Sequence, residues 1–215
     1  MDSSKLVDIF GNVINNRKTV LVLPDDGKIN IVCDWDNTIS WLAKTICNIH
    51  NLDIRKWTNY NIRETEYTKE EQDAVIKEFS SYSTFKKASV MDGTEKIKEL
   101  LHDRDNIRFL LHTLSYCTGV AEAKKEIASE KLQYLEPEEI WLEVDEDKTI
   151  IRNADIIIDD SPRAFEVSDA KIMKLMIMHE YNRQWYEEVG KKFGVIPCLD
   201  IADAVHKILL HLGWV

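Results

Sequence analysis

At 215 residues, with 44% hydrophobic and 31% charged residues, the chain fits one globular domain, or one core carrying a smaller insertion. Its formal charge of −10 argues against an extended nucleic-acid groove, which needs a basic stripe. Small phosphorylated ligands stay open, because one metal ion reverses a local field. With no long apolar run, a polar start "MDSSKLVD" and no Cys-x-x-Cys pair among Cys33, Cys47, Cys117 and Cys198, the expectation is a cytoplasmic protein. It should keep free thiols and have no membrane association.

Taken in order, residues 3–16 place Leu6, Ile9, Phe10, Val13 and Ile14 at helical spacing, with Ser3 or Ser4 as a cap. "TVLVLP" and "KINIVCD" are β-like runs, and the "DDG" between them predicts a hairpin in which Asp25 and Asp26 are turn residues. "ISWLAKTICNIHNL" is helical. A polar and aromatic segment over about 53–90 follows, containing the helical patch "KEEQDAVIKEF". "MDGTEKIKELLHD" predicts a helix capped by Asp92, with Ile97, Leu100 and Leu101 inward. Then "NIRFLLHT" reads as a buried strand and "GVAEAKKEIASEKLQYL" as a helix. The runs "EIWLEV", "ADIIIDD", "KIMKLMIM" and "GVIPCL" follow, and the helix "DIADAVHKILLHLGW" closes the chain. "YNRQWYEE" reads as a surface helix, and the six histidines show no metal-ligand spacing, though His112 adjoins Thr113.

Short apolar runs alternating with helices predict an α/β fold with a mostly parallel sheet. Such sheets bind ligands at the carboxyl ends of their strands. Three strands end there in polar groups: Asp34 and Asp36, then Thr113 and Ser115, then Asp159 and Asp160. A strand-end aspartate beside a metal is a competent nucleophile toward phosphorus. A carboxylate two residues on lies on the same side of the extended chain and can serve as acid and base. A hydroxyl and a lysine can hold phosphoryl oxygens, and further carboxylates can hold Mg²⁺. The chain offers Asp34, Asp36, Thr113, Lys148 and Asp159 with Asp160 for these roles. No Gly-rich phosphate loop is present, which argues against a kinase.

The order "DWDNT", "LLHT", a lysine, then a run ending in "DD" resembles the haloacid dehalogenase superfamily of phosphohydrolases. The resemblance spans residues 31–160. It implies a Rossmann-like three-layer sandwich, with Asp34 as nucleophile, Asp36 as acid/base and Thr113 and Lys148 on the phosphoryl group. Mg²⁺ would be held by Asp34, the main-chain carbonyl of Asp36, and Asp159 or Asp160. Lys148 in "DEDKTII" resembles the 5′(3′)-deoxyribonucleotidase branch; Lys124 and Lys125, expected mostly on the surface, are the alternatives. The chain departs from that branch at Asn37-Thr38, Leu42 and Leu114-Ser115.

The resemblance further implies a core of residues 1–39 and 91–215, with a small helical cap at 40–90 over the site. The expected partner is a small phosphorylated substrate, foremost a nucleotide, with Asn37, Thr38, Trp41 and Ser115 as substrate-binding candidates. Trp41 could stack on a base. The other aromatic residues of the segment, Trp57, Tyr60, Tyr67, Phe79, Tyr82 and Phe85, are expected mostly to form the cap's own core. Phosphatases for other metabolites or polynucleotide ends, a phospho-accepting signalling module and a non-catalytic binder are the alternatives.

Overall fold

The computed structural model describes residues 20–102, 104–115, 117–133, 135, 140–144, 150–167 and 170–214. The helix expected over 3–16, and Lys148, lie outside them. In chain order the first elements are β1 (Val20–Val22), β2 (Ile29–Cys33), α1 (Leu42–His50), α2 (Lys69–Glu78), α3 (Tyr82–Lys87) and α4 (Lys96–Leu101). Then come β3 (Ile107–Ser115), α5 (Thr118–Lys131), β4 (Ile140–Val144), β5 (Ile150–Arg152), β6 (Ile156–Asp159) and α6 (Pro162–Val167). The chain ends with β7 (Met173–Ile177), α7 (Glu180–Glu188), β8 (Val195–Cys198) and α8 (Ile201–His211).

Six strands form one sheet in the order β4-β3-β2-β6-β7-β8, every neighbouring pair parallel. The β-period of two sends alternate residues to opposite faces. Ile31, Cys33, Phe109, Leu111, Ile156, Ile158, Leu175 and Ile177 face one way, against Ile97 and Leu100 of α4, Ile127 of α5 and Ile201, Val205 and Ile208 of α8. Val32, Leu110, Ile157 and Met176 face the other, against Phe165 of α6 and Trp185 and Tyr186 of α7. Both faces are covered, as a parallel sheet requires, and the result is the expected α/β three-layer, Rossmann-like sandwich.

The expected hairpin does not form. β1 pairs in parallel with β5, as a separate two-stranded sheet. Both edges of β2 are already taken, by β3 and by β6, so no edge remains for its sequence neighbour. Asp26 is nonetheless a turn residue: its carboxylate accepts from Lys28 N and from the Arg108 guanidinium.

Between β2 and β3 the chain makes a long excursion. Ser40 bridges Val90 in antiparallel fashion; Trp41 N donates to Ser89 O at 2.9 Å and Met91 N to Ile39 O at 2.7 Å. The segment therefore leaves and returns through one short two-stranded stem. Inside it Leu42, Ile46, Trp57, Ile62, Tyr67, Val75, Phe79 and Phe85 pack together, and Val120 and Ala123 of α5 and Tyr181 of α7 complete the cluster. Trp57, Tyr67, Phe79 and Phe85 are thus core residues there.

Thr68 caps α2 reciprocally with Glu71: Thr68 Oγ1 accepts from Glu71 N, and a Glu71 carboxylate oxygen accepts from Thr68 N. Asp92 does not cap α4, which begins at Lys96; Glu95 takes the capping position and makes no side-chain cap hydrogen bond. Gly93 interrupts the path with φ +85°, and a Cβ there would lie 2.8 Å from the Ala202 Cβ of α8.

Glu78 ties three helices of the excursion together, accepting from His50 Nε2 at 2.9 Å and from the Thr84 hydroxyl. Burial pushes its pKa up, but the Thr84 and His50 bonds outweigh this and hold it below the ordinary carboxylate value. A depressed folded pKa means stability that is present above the unfolded pKa and lost as pH falls through the folded one. Glu78→Gln is expected to cost about 1 kcal/mol at pH 7, a deficit that closes as acid protonates the wild-type carboxylate. Urea unfolding at pH 7 and at successively lower pH, from about 4.5 down, checks this.

Candidate active site

Strand order reverses between β2 and β6: from β2 the sheet grows through β3 to β4 on one side, and β6 starts the other. Ligands bind at such a reversal, beyond the carboxyl ends of the strands. β2 runs out there into Asp34, whose N–H donates to Ile158 O of β6 at 2.9 Å. β6 runs out into Asp159 and Asp160. Asp34, Asp159 and Asp160 are all buried, and one carboxylate oxygen from each lies within 4.8 Å of the other two. Asp159 accepts from Ser161 N at 2.8 Å; Asp160 accepts from the Tyr181 hydroxyl and, at 3.5 Å, from Thr38 Oγ1.

Three carboxylates this close repel one another when charged. A divalent cation relieves that repulsion. An all-oxygen donor set suits a hard ion of the Mg²⁺ type rather than a thiophilic one.

Asp36 belongs to a different set of contacts. Its carboxylate accepts from Lys124 Nζ at 2.6 Å and is not among the three clustered groups. The same ammonium donates to Thr113 Oγ1 at 3.0 Å and to Leu114 O, and lies 5.0 Å from the centre of the Phe85 ring. Lys124 is 1% exposed, so the surface position expected for it is wrong; Lys125 is exposed. The buried stripe of α5 runs Val120, Ala123, Lys124, Ile127, Ala128, a helical i, i+3, i+4, i+7, i+8 pattern in which Lys124 takes an inward position. Ser115, two residues beyond Thr113 on β3, is fully buried, and its hydroxyl has no hydrogen-bond partner among the described residues.

The turn after Asp36 is held from several directions. Asn37 has φ +54°, in the left-handed region that asparagine tolerates better than most residues. Its Oδ1 accepts from Ala43 N at 2.7 Å, fixing the start of α1. Its main-chain carbonyl accepts from His179 Nε2 at 2.6 Å, which places the imidazole proton on Nε2. Thr38 is fully buried, and Trp35 packs in the sheet core. Trp41 is half-buried, its ring edge-on to His179 at 6.2 Å.

His179 and Tyr181 stack at 5.0 Å between ring centres. Burial pushes the His179 pKa down, opposed by its bond to Asn37 O. Burial first, and then Asp160, push the Tyr181 phenol well above its usual range. Asn182, on the same turn, donates to Asp160 O at 2.9 Å and to Ile177 O at 2.8 Å, and accepts from His179 N. Sequence reasoning missed the part played by Tyr181 and Asn182, placing "YNRQWYEE" on the surface, while His179, with no role expected of it, precedes the first residue of α7. Tyr181 and Asn182 are buried. The available signal was the strand-end rule itself, since "HEYN" follows the apolar run of β7 as "DDS" follows that of β6.

Among the described residues no helix is long and apolar enough to cross a membrane, and all four cysteines are free. No family model and no curated protein matches the sequence. Among solved structures the chain is similar to a hydrolase from Pseudomonas syringae at 12% identity and TM-score 0.44, over 84% of this chain and 98% of that one. It is similar to a phosphonoacetaldehyde hydrolase-like protein from Oleispira antarctica at 12% identity and TM-score 0.49, over 87% and 95% of the two chains. A haloacid dehalogenase-like family hydrolase from Streptococcus pneumoniae aligns at 12% identity and TM-score 0.47, over 80% and 93%. All three scores lie below 0.5, too distant to bear on chemistry or substrate.

Proposed function

We propose that the chain is a Mg²⁺-dependent phosphomonoesterase of the haloacid dehalogenase type, working through an aspartyl-phosphate on Asp34. The observation that carries this reading is the divergence of two carboxylates one residue apart. Asp34 joins the acidic cluster, while Asp36 turns to Lys124 and Thr113. Equivalent groups would not be sorted into such different surroundings; a nucleophile and an acid/base would.

In the proposed reaction a carboxylate oxygen of Asp34 attacks phosphorus, and the ester oxygen departs with a proton from Asp36. Asp36 then takes a proton from the water that hydrolyses the acyl phosphate, releasing phosphate and restoring Asp34. Asp34, Asp159 or Asp160, and the main-chain carbonyl of Asp36 would hold the metal, which supplies charge stabilisation to the phosphoryl oxygens. Lys124 orients Asp36 and, with Thr113, presents donors to the phosphoryl group; its buried ammonium supports giving it the role first assigned to Lys148.

The helical segment 40–90 acts as a cap that excludes water, over a core of 1–39 and 91–215. Trp41 is the proposed substrate contact, with the buried Asn37, Thr38 and Ser115 supporting the site from behind. A 5′-nucleotide or deoxynucleotide is the proposed substrate, and a cytoplasmic location is part of the same proposal.

The test is phosphate release from a panel of nucleoside monophosphates, sugar phosphates and 3′-phosphorylated oligonucleotides with saturating Mg²⁺. Nucleotides are expected to lead, and EDTA to abolish turnover. Equal rates on sugar phosphates would remove the nucleotide assignment, and no release from any ester would remove the hydrolase.

A further inference from the structure

We propose that the first turn of α7 is a positioning clamp that sets both acidic loops of the site relative to each other. The inference rests on the phosphomonoesterase reading for its consequences in turnover, though not for its consequences in metal binding. Asp34 and Asp36 leave β2, whereas Asp159 and Asp160 leave β6, and side chains from a third strand end hold both. On one side His179 Nε2 donates to the Asn37 carbonyl at 2.6 Å, one residue beyond Asp36. On the other, the Tyr181 hydroxyl donates to the Asp160 carboxylate, and Asn182 Nδ2 to the Asp160 carbonyl at 2.9 Å.

The clamp is itself braced. The His179 and Tyr181 rings lie nearly parallel, 16° apart. Asn182 ties the turn to Ile177 at the end of β7 and accepts from His179 N. Tyr181 packs against Trp57 and Tyr60 of the excursion, at 6.2 and 6.3 Å between ring centres, so the same turn also touches the segment over the site.

Each contact has a distinct job. The Tyr181 hydroxyl gives one Asp160 oxygen a fixed donor, while Thr38 Oγ1 reaches the other at 3.5 Å. Groups that hydrogen-bond a metal-binding carboxylate fix its orientation, and their loss typically weakens metal affinity by about 10–100-fold. The His179 bond steadies a backbone turn in the left-handed region, and with it the direction in which Asp36 points. These are positioning residues: none is assigned contact with the reacting atoms.

The experiment compares wild type with Tyr181→Phe, His179→Ala and His179→Gln by three readouts: calorimetric Mg²⁺ titration, hydrogen–deuterium exchange, and kcat against KM on the best phosphate ester. Tyr181→Phe removes one oxygen and keeps the ring. It is expected to raise the Mg²⁺ Kd about ten-fold or more while the metal-free chain stays folded, melting only a few degrees lower. His179→Ala is expected to speed exchange of the Ile39 and Ser40 amides, both bonded to Trp35 O, and to lower kcat more than it raises KM. His179→Gln, whose amide can still donate, should recover most of both.

An unchanged Mg²⁺ Kd in Tyr181→Phe would overturn the clamp. So would unchanged exchange in His179→Ala, or alanine and glutamine variants that lose function equally and only through lower melting temperature. Metal titration and exchange need no substrate. If wild type bound Mg²⁺ and hydrolysed no ester, the phosphatase reading would fail while these two comparisons still decided the clamp.

Discussion

Asp34→Asn is expected to leave the chain folded and to cut phosphate release by three to four orders of magnitude, roughly the effect of deleting a nucleophile. The amide is isosteric with the carboxylate, so the packing of this buried side chain is kept. It is a far poorer nucleophile, and it removes one of the three clustered charges. That second effect gives an independent check. A cation that binds the folded state stabilises it by about 2.7 kcal/mol at one hundred times its Kd. Wild type should therefore melt higher as Mg²⁺ is added, and Asp34→Asn should lose most of that increment. Unchanged phosphatase activity in the variant would remove Asp34 as the nucleophile. Thermal melts with and without Mg²⁺, alongside a phosphate assay, separate the two effects.

Lys124→Met is expected to be the most damaging single change to stability. The methionine keeps an unbranched apolar stem in the α5 stripe, so packing against Phe85 largely survives. What disappears is the ammonium shared by Asp36, Thr113 and Leu114 O. Breaking a buried ion pair by removing one partner costs about 3–5 kcal/mol. Here the lower end applies, since the Asp36 side chain is 23% exposed and water reaches it. Lys124→Arg is expected to rescue poorly, because a planar five-donor fork does not fit where a compact ammonium meets its acceptors. The double variant Lys124→Met with Asp36→Asn should regain part of the stability and none of the turnover. Urea unfolding of wild type, Lys124→Met, Asp36→Asn and the double variant measures the coupling between the two residues directly. A coupling near zero would mean that the pair is not a unit.

Much of the site was legible because strand ends announce themselves. An apolar run that stops in "DWD" or "DD" leaves polar groups at the carboxyl edge of a parallel sheet, whatever the loops do. Lys124 was harder to place. It sits beside Lys125 in "EAKKE", and only the helical register of Val120, Ala123, Ile127 and Ala128 separates the inward lysine from the outward one. Charge argued for the surface, and periodicity argued for the interior. Periodicity was right, because the buried ammonium finds three oxygen acceptors. Tyr181 and Asn182 were hidden by the charges around them, Glu180, Arg183, Glu187 and Glu188, which make α7 look solvated throughout. The β1 misreading has another origin. A turn motif predicts that the chain reverses, but parallel pairing with β5 depends on which edges distant strands have already filled.

The stem at Ser40 and Val90 has a consequence for how the molecule assembles. β2 and β3 must pair across the long stretch between Cys33 and Ile107. If the stem closes first, the free chain that β2 and β3 must still bring together shrinks from roughly seventy residues to roughly twenty, which lowers the closure entropy by about 1 kcal/mol. The excursion can then fold on its own side of the stem without delaying the strand pairing beneath it. In chain-entropy terms the stem is a short circuit: a sequence separation that would mark β2 and β3 as slow partners behaves as a far smaller one.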